Sequence, residues 1–132
     1  MPAKTILVVD DNPVNLKLIR VILNREGYHV QVAPDGESAL ALIAKSHPRL
    51  ILMDLQLPGM DGLTLTRRLK ADPATRHIPV IAITAYAMIG DEVKAREAGC
   101  DAYLSKPIDT RALPSMIAGH FKNTPDSPSE SE

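Results

Sequence analysis

Three carboxylates and one ammonium group stand where short apolar runs of the sequence stop. Asp10 and Asp11 follow the first run, Asp54 follows the third and Lys106 follows the fifth. Three carboxylates in one small pocket raise one another's pKa unless a cation and an ammonium group offset their charge. Oxygen ligands select a hard cation, and Mg²⁺ takes one or two carboxylates while water or phosphate oxygens fill its other positions. If these side chains meet, they predict a magnesium site.

One of these carboxylates can also act as a nucleophile on phosphorus. Asp54 is the best candidate, because it stands alone between Met53 and Leu55 rather than in an acidic pair. A bound metal ion and the Lys106 ammonium would then stabilise the charge on the equatorial oxygens of the transferred group. The sequence therefore predicts phosphoryl chemistry centred on Asp54.

The apolar runs that carry these residues alternate with helical patterns, which is typical of a parallel sheet covered by helices on both faces. The predicted strands are Thr5 to Val9, Tyr28 to Ala33, Leu50 to Met53, Val80 to Thr84 and Ala102 to Ser105. Right-handed crossovers place all the carboxyl ends of the strands on one edge, and a 2-1-3-4-5 order makes the first and third strands neighbours there. We therefore expect an α/β fold that brings Asp10, Asp11, Asp54, Thr84 and Lys106 to one edge.

Five helices are predicted to follow the five strands. Asn12 is a suitable N-cap and Pro13 a suitable first residue for the first helix, whose apolar residues recur three and four apart before Gly27 ends it. The apolar residues with this spacing are Leu16, Ile19, Ile22 and Leu23. The other helices are predicted from about Asp35 to Ser46, Gly62 to Lys70, Gly90 to Ala98 and Asp109 to Lys122.

Composition narrows the possible classes of protein. The chain has 132 residues, 45% of them hydrophobic and 23% charged, which fits one compact domain, here assigned to residues 1–122. Residues 123–132 are polar and rich in proline, so we expect a disordered tail. The formal net charge of −1 does not support a nucleic-acid-binding surface, and no apolar stretch is long enough for a membrane helix. The single Cys100 cannot form an internal disulfide and fits a reducing cytoplasm best.

Four motifs, in this order, resemble those of a bacterial response-regulator receiver domain. They are Val9-Asp10-Asp11-Asn12, Met53-Asp54-Leu55-Gln56-Leu57-Pro58-Gly59-Met60-Asp61-Gly62, Thr84-Ala85 and Lys106-Pro107. The resemblance spans roughly residues 4 to 122, and each motif stands at the end of a predicted strand. It implies a flavodoxin-like receiver fold in which Asp54 accepts a phosphoryl group from the phosphohistidine of a histidine kinase or a histidine phosphotransfer protein.

The resemblance also implies a set of metal ligands. Asp11 and Asp54 would bind Mg²⁺ directly, the backbone carbonyl of Gln56 would complete the protein ligands, and Asp10 would act largely through water. Gln56 stands two residues after the acceptor, at a position that influences the rate of self-dephosphorylation in the family.

Further residues take roles in the switch by the same resemblance. Lys106 would pair with the phosphate, Thr84 would donate its hydroxyl to it, and Tyr103 would turn inward as Thr84 moves. Tyr86, two residues after the threonine, would screen the phosphate from water and slow its hydrolysis. The peptide before Pro107 is a candidate for the cis form.

Each of these residues also has a plainer interpretation when it is taken singly. Asp10 and Asp11 can form an N-terminal helix cap, Thr84 suits a strand as a β-branched residue, Lys106 can be a solvated cation, and Tyr103 can be a packing residue. Their joint placement at strand ends is what favours the phosphoryl site.

Four functions compete at this stage. The leading hypothesis is a phosphorylation-dependent signalling switch, a monomer or weak dimer with no enzymatic activity beyond self-dephosphorylation. The run Asp11-Asn12-Pro13-Val14-Asn15 resembles receivers of phosphorelays and hybrid kinases, so a module excised from a hybrid histidine kinase is an alternative. An aspartyl-phosphate phosphatase of the haloacid-dehalogenase type is less favoured, because its second aspartate stands two residues after the nucleophile. A receiver fold that acts unphosphorylated as an interaction module is the last alternative.

Overall fold

The structure is a computed structural model that describes residues 4–57, 59–84, 89–106 and 109–123. Strands and helices alternate along the chain in the order that the sequence predicts. The strands are β1 Thr5–Val9, β2 His29–Ala33, β3 Leu50–Asp54, β4 Val80–Thr84 and β5 Ala102–Ser105. The helices are α1 Pro13–Arg25, α2 Gly36–Lys45, α3 Gly62–Ala71, α4 Ile89–Ala98 and α5 Ala112–Asn123.

The five strands form one parallel sheet in the order β2-β1-β3-β4-β5. The predicted fold class and strand order are therefore confirmed. Val9 of β1 lies opposite Met53 of β3, so the residues that follow them emerge side by side from the same edge. Asp54 of β3 lies opposite Ile83 of β4, and Thr84 lies opposite Ser105 of β5.

Alternate residues of the strands build two hydrophobic cores, one on each face of the sheet. One core joins Ile6, Val8, Leu50 and Leu52 to buried residues of α1 and α5, which are Ile19, Leu23, Leu113 and Ile117. The other joins Leu7, Val9, Ile51 and Met53 to buried residues of α2 and α3, which are Ala39, Ile43, Leu65 and Leu69. Because helices cover both faces, the strands are almost wholly apolar, and their polar residues concentrate at the ends.

Local chemistry explains where α1 begins and ends. The side chain of Asn12 accepts hydrogen bonds from the backbone N–H groups of Val14 and Asn15, and Pro13 is the first helical residue, as predicted. Gly27 follows the helix with a φ of 93°, a left-handed conformation that favours glycine. Of the four apolar residues with helical spacing, Ile19 and Leu23 are fully buried, and Leu16 and Ile22 are partly buried against the same core.

A few predicted boundaries shift by one to three residues. β2 begins at His29 rather than Tyr28, and β3 extends to Asp54, so this carboxylate belongs to the strand itself. α5 begins at Ala112 rather than near Asp109, and in the turn before it the Asp109 carboxylate accepts from the N–H groups of Arg111 and Ala112. The predicted tail lies outside the described residues except for Asn123, which ends α5.

No helix in the described ranges is both long enough and apolar enough to cross a membrane.

Candidate functional site

Three carboxylates meet at the carboxyl edge of β1 and β3. Each of Asp10, Asp11 and Asp54 offers one oxygen, and these oxygens lie within 4.8 Å of one another. Asp10 and Asp54 are buried, each with 1% of its surface exposed, whereas Asp11 is exposed. The structure thus brings together the three acidic residues that the sequence singled out, with Asp11 nearest to solvent.

Both oxygens of the Asp54 carboxylate accept a hydrogen bond. Oδ1 accepts from the backbone N–H of Gln56 at 2.9 Å, and Oδ2 accepts from the ammonium group of Lys106 at 2.9 Å. The backbone N–H of Lys106 donates to the carbonyl of Thr84 at 2.7 Å, which keeps the end of β5 beside β4. Lys106 therefore reaches Asp54 across β4 from the edge of the sheet, as predicted.

Asp10 is held from three sides. Its Oδ1 accepts from the backbone N–H of Asn12 at 2.9 Å, while its Oδ2 lies 3.4 Å from Nδ2 of Asn15 and 3.6 Å from Nζ of Lys106. The contact of Asn15 was not predicted. A helical side chain leans towards the N-terminus of its helix, so a polar residue in the first turn of α1 was the available signal.

Burial, hydrogen bonds and charge in the site shift the pKa values of Asp54 and Lys106. Burial raises the pKa of the Asp54 carboxyl above its ordinary value, and the Asp10 carboxylate adds to this, although the hydrogen bonds from Gln56 and Lys106 oppose it. Partial burial works against the Lys106 ammonium, but the hydrogen bond and charge of Asp54, followed by those of Asp10, outweigh it and raise the pKa of Lys106. Lys106 therefore stays protonated.

The donor set suits a divalent cation. The three carboxylates face one ammonium group, and two negative charges are left to be offset when all of them are ionised. Hard carboxylate oxygens at this spacing match the ligand preference of Mg²⁺ rather than that of softer metals. The residues present thus fit the metal that the sequence predicts.

Thr84 lies beside the carboxylates at the end of β4. It is fully buried, and its hydroxyl oxygen accepts a hydrogen bond from Nε2 of Gln56 at 2.9 Å. The sequence pointed to Gln56 for its backbone carbonyl and its place in the chain, and did not predict this side-chain contact. The pairing depends on the path of the chain after β3, for which the sequence gives no spacing signal.

Tyr103 lies one strand away from the acceptor. It is opposite Ala82 in the β4 and β5 pairing, is partly buried, and packs against a small cluster of Leu55, Ala82 and Ala95. It also lines a cleft between α4 and β5 together with Glu92 and Arg96. This location is next to the strand that ends in Thr84, and the predicted switching role of Tyr103 stays a prediction. Tyr86 and Pro107 lie outside the described residues.

Comparison with known proteins identifies a family. The sequence profile described as "Response regulator receiver domain" matches residues 6–118. A curated relative, the polar-differentiation response regulator DivK from Brucella ovis, is 50% identical over 105 residues, which cover 80% of this chain and 85% of DivK.

Solved structures agree with this result. The receiver domain of a signal transduction histidine kinase from Syntrophus aciditrophicus superimposes with a TM-score of 0.87 at 32% identity, with 96% of each chain covered. The receiver domain of a sensor histidine kinase from Pseudomonas aeruginosa, solved with a magnesium ion in its active-site cleft, gives a TM-score of 0.81 at 37% identity, over 89% of this chain and 96% of that one. Because the profile covers most of the chain and a relative half identical to it carries the family's name, the chain belongs to the response regulator receiver domains of two-component signalling.

Proposed function

We propose that this receiver domain is a phosphorylation-dependent switch of a two-component system or phosphorelay, and that Asp54 accepts the phosphoryl group from a phosphohistidine. The observation that carries the proposal is the setting of the Asp54 carboxylate. It is buried, bonded to the Lys106 ammonium at 2.9 Å, and within 4.8 Å of carboxylate oxygens of Asp10 and Asp11. A nucleophile with an ammonium group and a metal-binding carboxylate pair beside it matches the needs of phosphoryl transfer.

The acidic residues would hold a magnesium ion. Asp11 and Asp54 would bind it directly with the backbone carbonyl of Gln56, and Asp10 would act through water. When bound, the ion offsets negative charge on the oxygens of the transferred group. The exposure of Asp11 supports its direct role, because a ligand near to solvent meets an entering hydrated ion first.

The chain's own residues account for the transfer step. A carboxylate oxygen of Asp54 forms a bond to phosphorus while the phosphorus–nitrogen bond of the donor histidine breaks, and the imidazole nitrogen keeps the bonding electron pair. Lys106 lies 2.9 Å from Asp54 Oδ2 and pairs with an oxygen of the arriving group. Its raised pKa keeps the positive charge in place throughout.

The buried hydroxyl of Thr84 would then donate to the phosphoryl group. Its movement would leave volume between β4 and β5 that Tyr103 takes up, which changes the surface presented by α4 and β5. The cluster of Leu55, Ala82 and Ala95 beneath Tyr103 supports this coupling, because it links the tyrosine to α4 and to the residue after Asp54. Slow self-dephosphorylation, with Tyr86 screening the phosphate, belongs to the same proposal.

An exposed apolar stripe on α1 supports a protein as the phosphodonor. Val14, Leu18 and Val21 are exposed by 73%, 40% and 45%, and their spacing places all three on one face of the helix. This stripe begins four residues after Asp10, so it flanks the site on the side of α1 and offers a surface to a protein that brings a phosphohistidine to Asp54. We propose that the donor, a histidine kinase or a histidine phosphotransfer protein, packs an apolar helix face on this stripe.

A second context fits the same chemistry. Two of the similar solved structures are receiver domains of histidine kinases, so the chain can equally be the receiver module of a hybrid kinase. Receiver domains are in general signalling modules rather than enzymes, which leaves little support for the phosphatase alternative. The expectations of a cytoplasmic location, of a monomer or weak dimer, and of no nucleic-acid partner stay predictions.

The proposal is tested with a small phosphodonor. The protein is incubated with Mg²⁺ and acetyl phosphate, and its intact mass is measured. We expect one phosphoryl group per chain, lost in Asp54→Ala and in the presence of EDTA, and retained in Glu92→Ala, which removes an exposed carboxylate of α4. Continuous hydrolysis of the donor would favour the phosphatase, and no adduct with acetyl phosphate or a phosphohistidine protein would refute the switch.

A further inference from the structure

The carboxamide of Gln56 connects the acceptor to the threonine at the next strand end. Its backbone N–H donates to Oδ1 of Asp54 at 2.9 Å, and its side-chain Nε2 donates to Oγ1 of Thr84 at 2.9 Å. One residue therefore contacts both groups that change in the proposed switch, through two different parts of its structure.

We propose that Gln56 is a positioning residue that holds the Thr84 hydroxyl in its resting place and thereby opposes the phosphorylated state. This inference rests on the proposed function, because it assumes that Thr84 moves to meet a phosphoryl group on Asp54. It adds a restraint, set by the Gln56 side chain, on how easily that movement occurs.

The burial of the two residues supports this role. Thr84 is fully buried, whereas Gln56 is exposed at the mouth of the site. The long Gln56 side chain thus bridges from the loop after β3 to the end of β4 and covers the hydroxyl from the solvent side. The hydroxyl is thus bonded to a carboxamide whose residue lies outside the protein core.

The chemistry of a hydroxyl sets the direction of the effect. A threonine hydroxyl has one hydrogen to donate and two lone pairs to accept with, so it bonds to an amide in either orientation of the carboxamide. In the proposed switch the Thr84 hydroxyl moves towards the phosphoryl group on Asp54, and we infer that this movement breaks its present 2.9 Å bond to Gln56 Nε2. A hydrogen bond that is present in the resting conformation and absent in the phosphorylated one favours the resting conformation. The equilibrium between the two shifts by the free energy of that bond.

Beryllofluoride with Mg²⁺, a mimic of the aspartyl phosphate, tests the inference on the full chain. Its dissociation constant is measured by NMR titration for the wild type and for Gln56→Met, which keeps the length of the side chain and removes the hydrogen bond. We expect about fivefold tighter binding in Gln56→Met, the factor that corresponds to one ordinary hydrogen bond. Gln31→Met, the same change on β2, is the matched control and should leave the constant unchanged.

A double-mutant cycle identifies the partner of the carboxamide. Thr84→Val keeps the shape of the threonine and removes its hydroxyl, so Gln56→Met added to Thr84→Val should bind beryllofluoride no more tightly than Thr84→Val alone. In the resting protein, the hydroxyl-proton resonance of Thr84, which reports the bond that the hydroxyl makes, should shift in Gln56→Met but not in Gln31→Met. A role of Gln56 in folding alone would change neither the coupling nor this resonance.

Several results would overturn the inference. One is that Gln56→Met binds beryllofluoride as tightly as the wild type or more weakly. Another is that Gln56→Met tightens binding by the same factor in the Thr84→Val background. Gln56→Ala, which removes the amide without adding an apolar group, must give the same sign as Gln56→Met. If the wild type neither binds beryllofluoride nor accepts a phosphoryl group from acetyl phosphate, the proposed function itself fails. If the wild type does both and Gln56→Met leaves the dissociation constant unchanged, only this inference is refuted.

Discussion

The α-carbon of Gly62 packs directly against the backbone of Asp54. A methyl group placed on Gly62 would collide with the Asp54 carbonyl oxygen and would lie 2.9 Å from the α-carbon of Leu55. The N–H of Gly62 also donates to the carbonyl of Leu55 at 3.3 Å. The first residue of α3 is thus pressed against the peptide that carries the acceptor, and only glycine leaves room for this approach.

Replacing Gly62 by alanine should therefore disturb both stability and acceptor chemistry. The backbone at Asp54 must shift to admit the methyl group, and overpacking of this kind costs about 1–3 kcal/mol of unfolding free energy. The initial rate of phosphorylation by acetyl phosphate should fall as well, because the carboxylate is displaced from Lys106. Urea unfolding and intact-mass kinetics measure the two effects.

Gly119→Ala is the matched control for this substitution. Gly119 lies in α5, and a methyl group there would contact nothing within 4 Å. Alanine is a better helix former by about 1 kcal/mol, so this variant should be as stable as the wild type or more stable, with unchanged phosphorylation. Equal behaviour of the two variants would contradict the close-approach argument.

The sequence predicted the acidic site because strand ends of a parallel sheet share one edge. Asp10, Asp11, Asp54 and Lys106 follow apolar runs whose lengths and flanking helices make the strands recognisable, and the fold then brings them together without further information. The strand order determines which carboxylates are neighbours. This part of the site depends on the topology, and a sequence pattern is enough to predict topology of this kind.

The contacts that the sequence missed depend on the path of the loops. The approach of Gly62 to Asp54 and the bond between Gln56 and Thr84 arise from how the chain turns after β3, and neither leaves a periodic signal. The exposed apolar stripe of α1, in contrast, does leave a signal in the sequence. With Ile19 and Leu23 facing the core, helical periodicity places Leu18 away from the core.

Metal removal should reveal the repulsion among the three carboxylates. Without Mg²⁺, Asp54→Asn is expected to raise the unfolding free energy by about 1 kcal/mol, because it removes a buried charge that burial and Asp10 disfavour. Added Mg²⁺ should stabilise the wild type by about 1.4 kcal/mol for each tenfold excess over its dissociation constant, and the variant by less. Thermal unfolding in EDTA and in a Mg²⁺ series measures both.

Asp61→Asn is the control for charge removal. Asp61 caps α3 by accepting from the N–H of Thr64 at 2.8 Å, and asparagine caps equally well. Mg²⁺ should therefore raise the stability of the Asp61→Asn variant as much as it raises that of the wild type. If Asp54→Asn were destabilising in EDTA, the bonds of Asp54 to Lys106 and Gln56 would outweigh burial and repulsion, contrary to this prediction.

The cap of α2 predicts a pH dependence. Hydrogen bonds from the backbone N–H and then the hydroxyl of Ser38 hold the pKa of Asp35 below its ordinary value of 3.8. The unfolded chain binds a proton first as the pH falls, so the stability from this cap is present above the ordinary pKa and is lost as the pH falls through the folded one. Asp35→Asn keeps a neutral acceptor and should lose less stability between about pH 6 and about pH 3.

Unfolding of the two proteins in urea across this range measures the difference. Glu37→Gln is the control, because it removes a charge from the same helical turn without removing the capping acceptor. Its curve should stay closer to that of the wild type than the Asp35→Asn curve does. Parallel curves for wild type and Asp35→Asn would exclude the cap as a source of acid sensitivity.

Leu18 of α1 should matter for transfer from a protein and not for transfer from a small molecule. Leu18→Asp places a charge in the exposed stripe between Val14 and Val21, so an apolar partner surface can no longer pack there. We expect phosphorylation by a phosphohistidine protein to slow about tenfold, which corresponds to about 1.4 kcal/mol of lost contact. Phosphorylation by acetyl phosphate should be unchanged, because the carboxylate pocket is untouched.

Val93→Asp separates the α1 stripe from exposed apolar residues in general. Val93 lies on α4 with 51% of its surface exposed, and it receives the same change of charge and size. Transfer from the phosphohistidine protein to this variant should proceed at the wild-type rate if the donor contacts α1. Slowing of both variants by the same factor would mean that added negative charge, rather than loss of the stripe, repels the donor. Slowing of Val93→Asp alone would place the donor on the α4 side of the site.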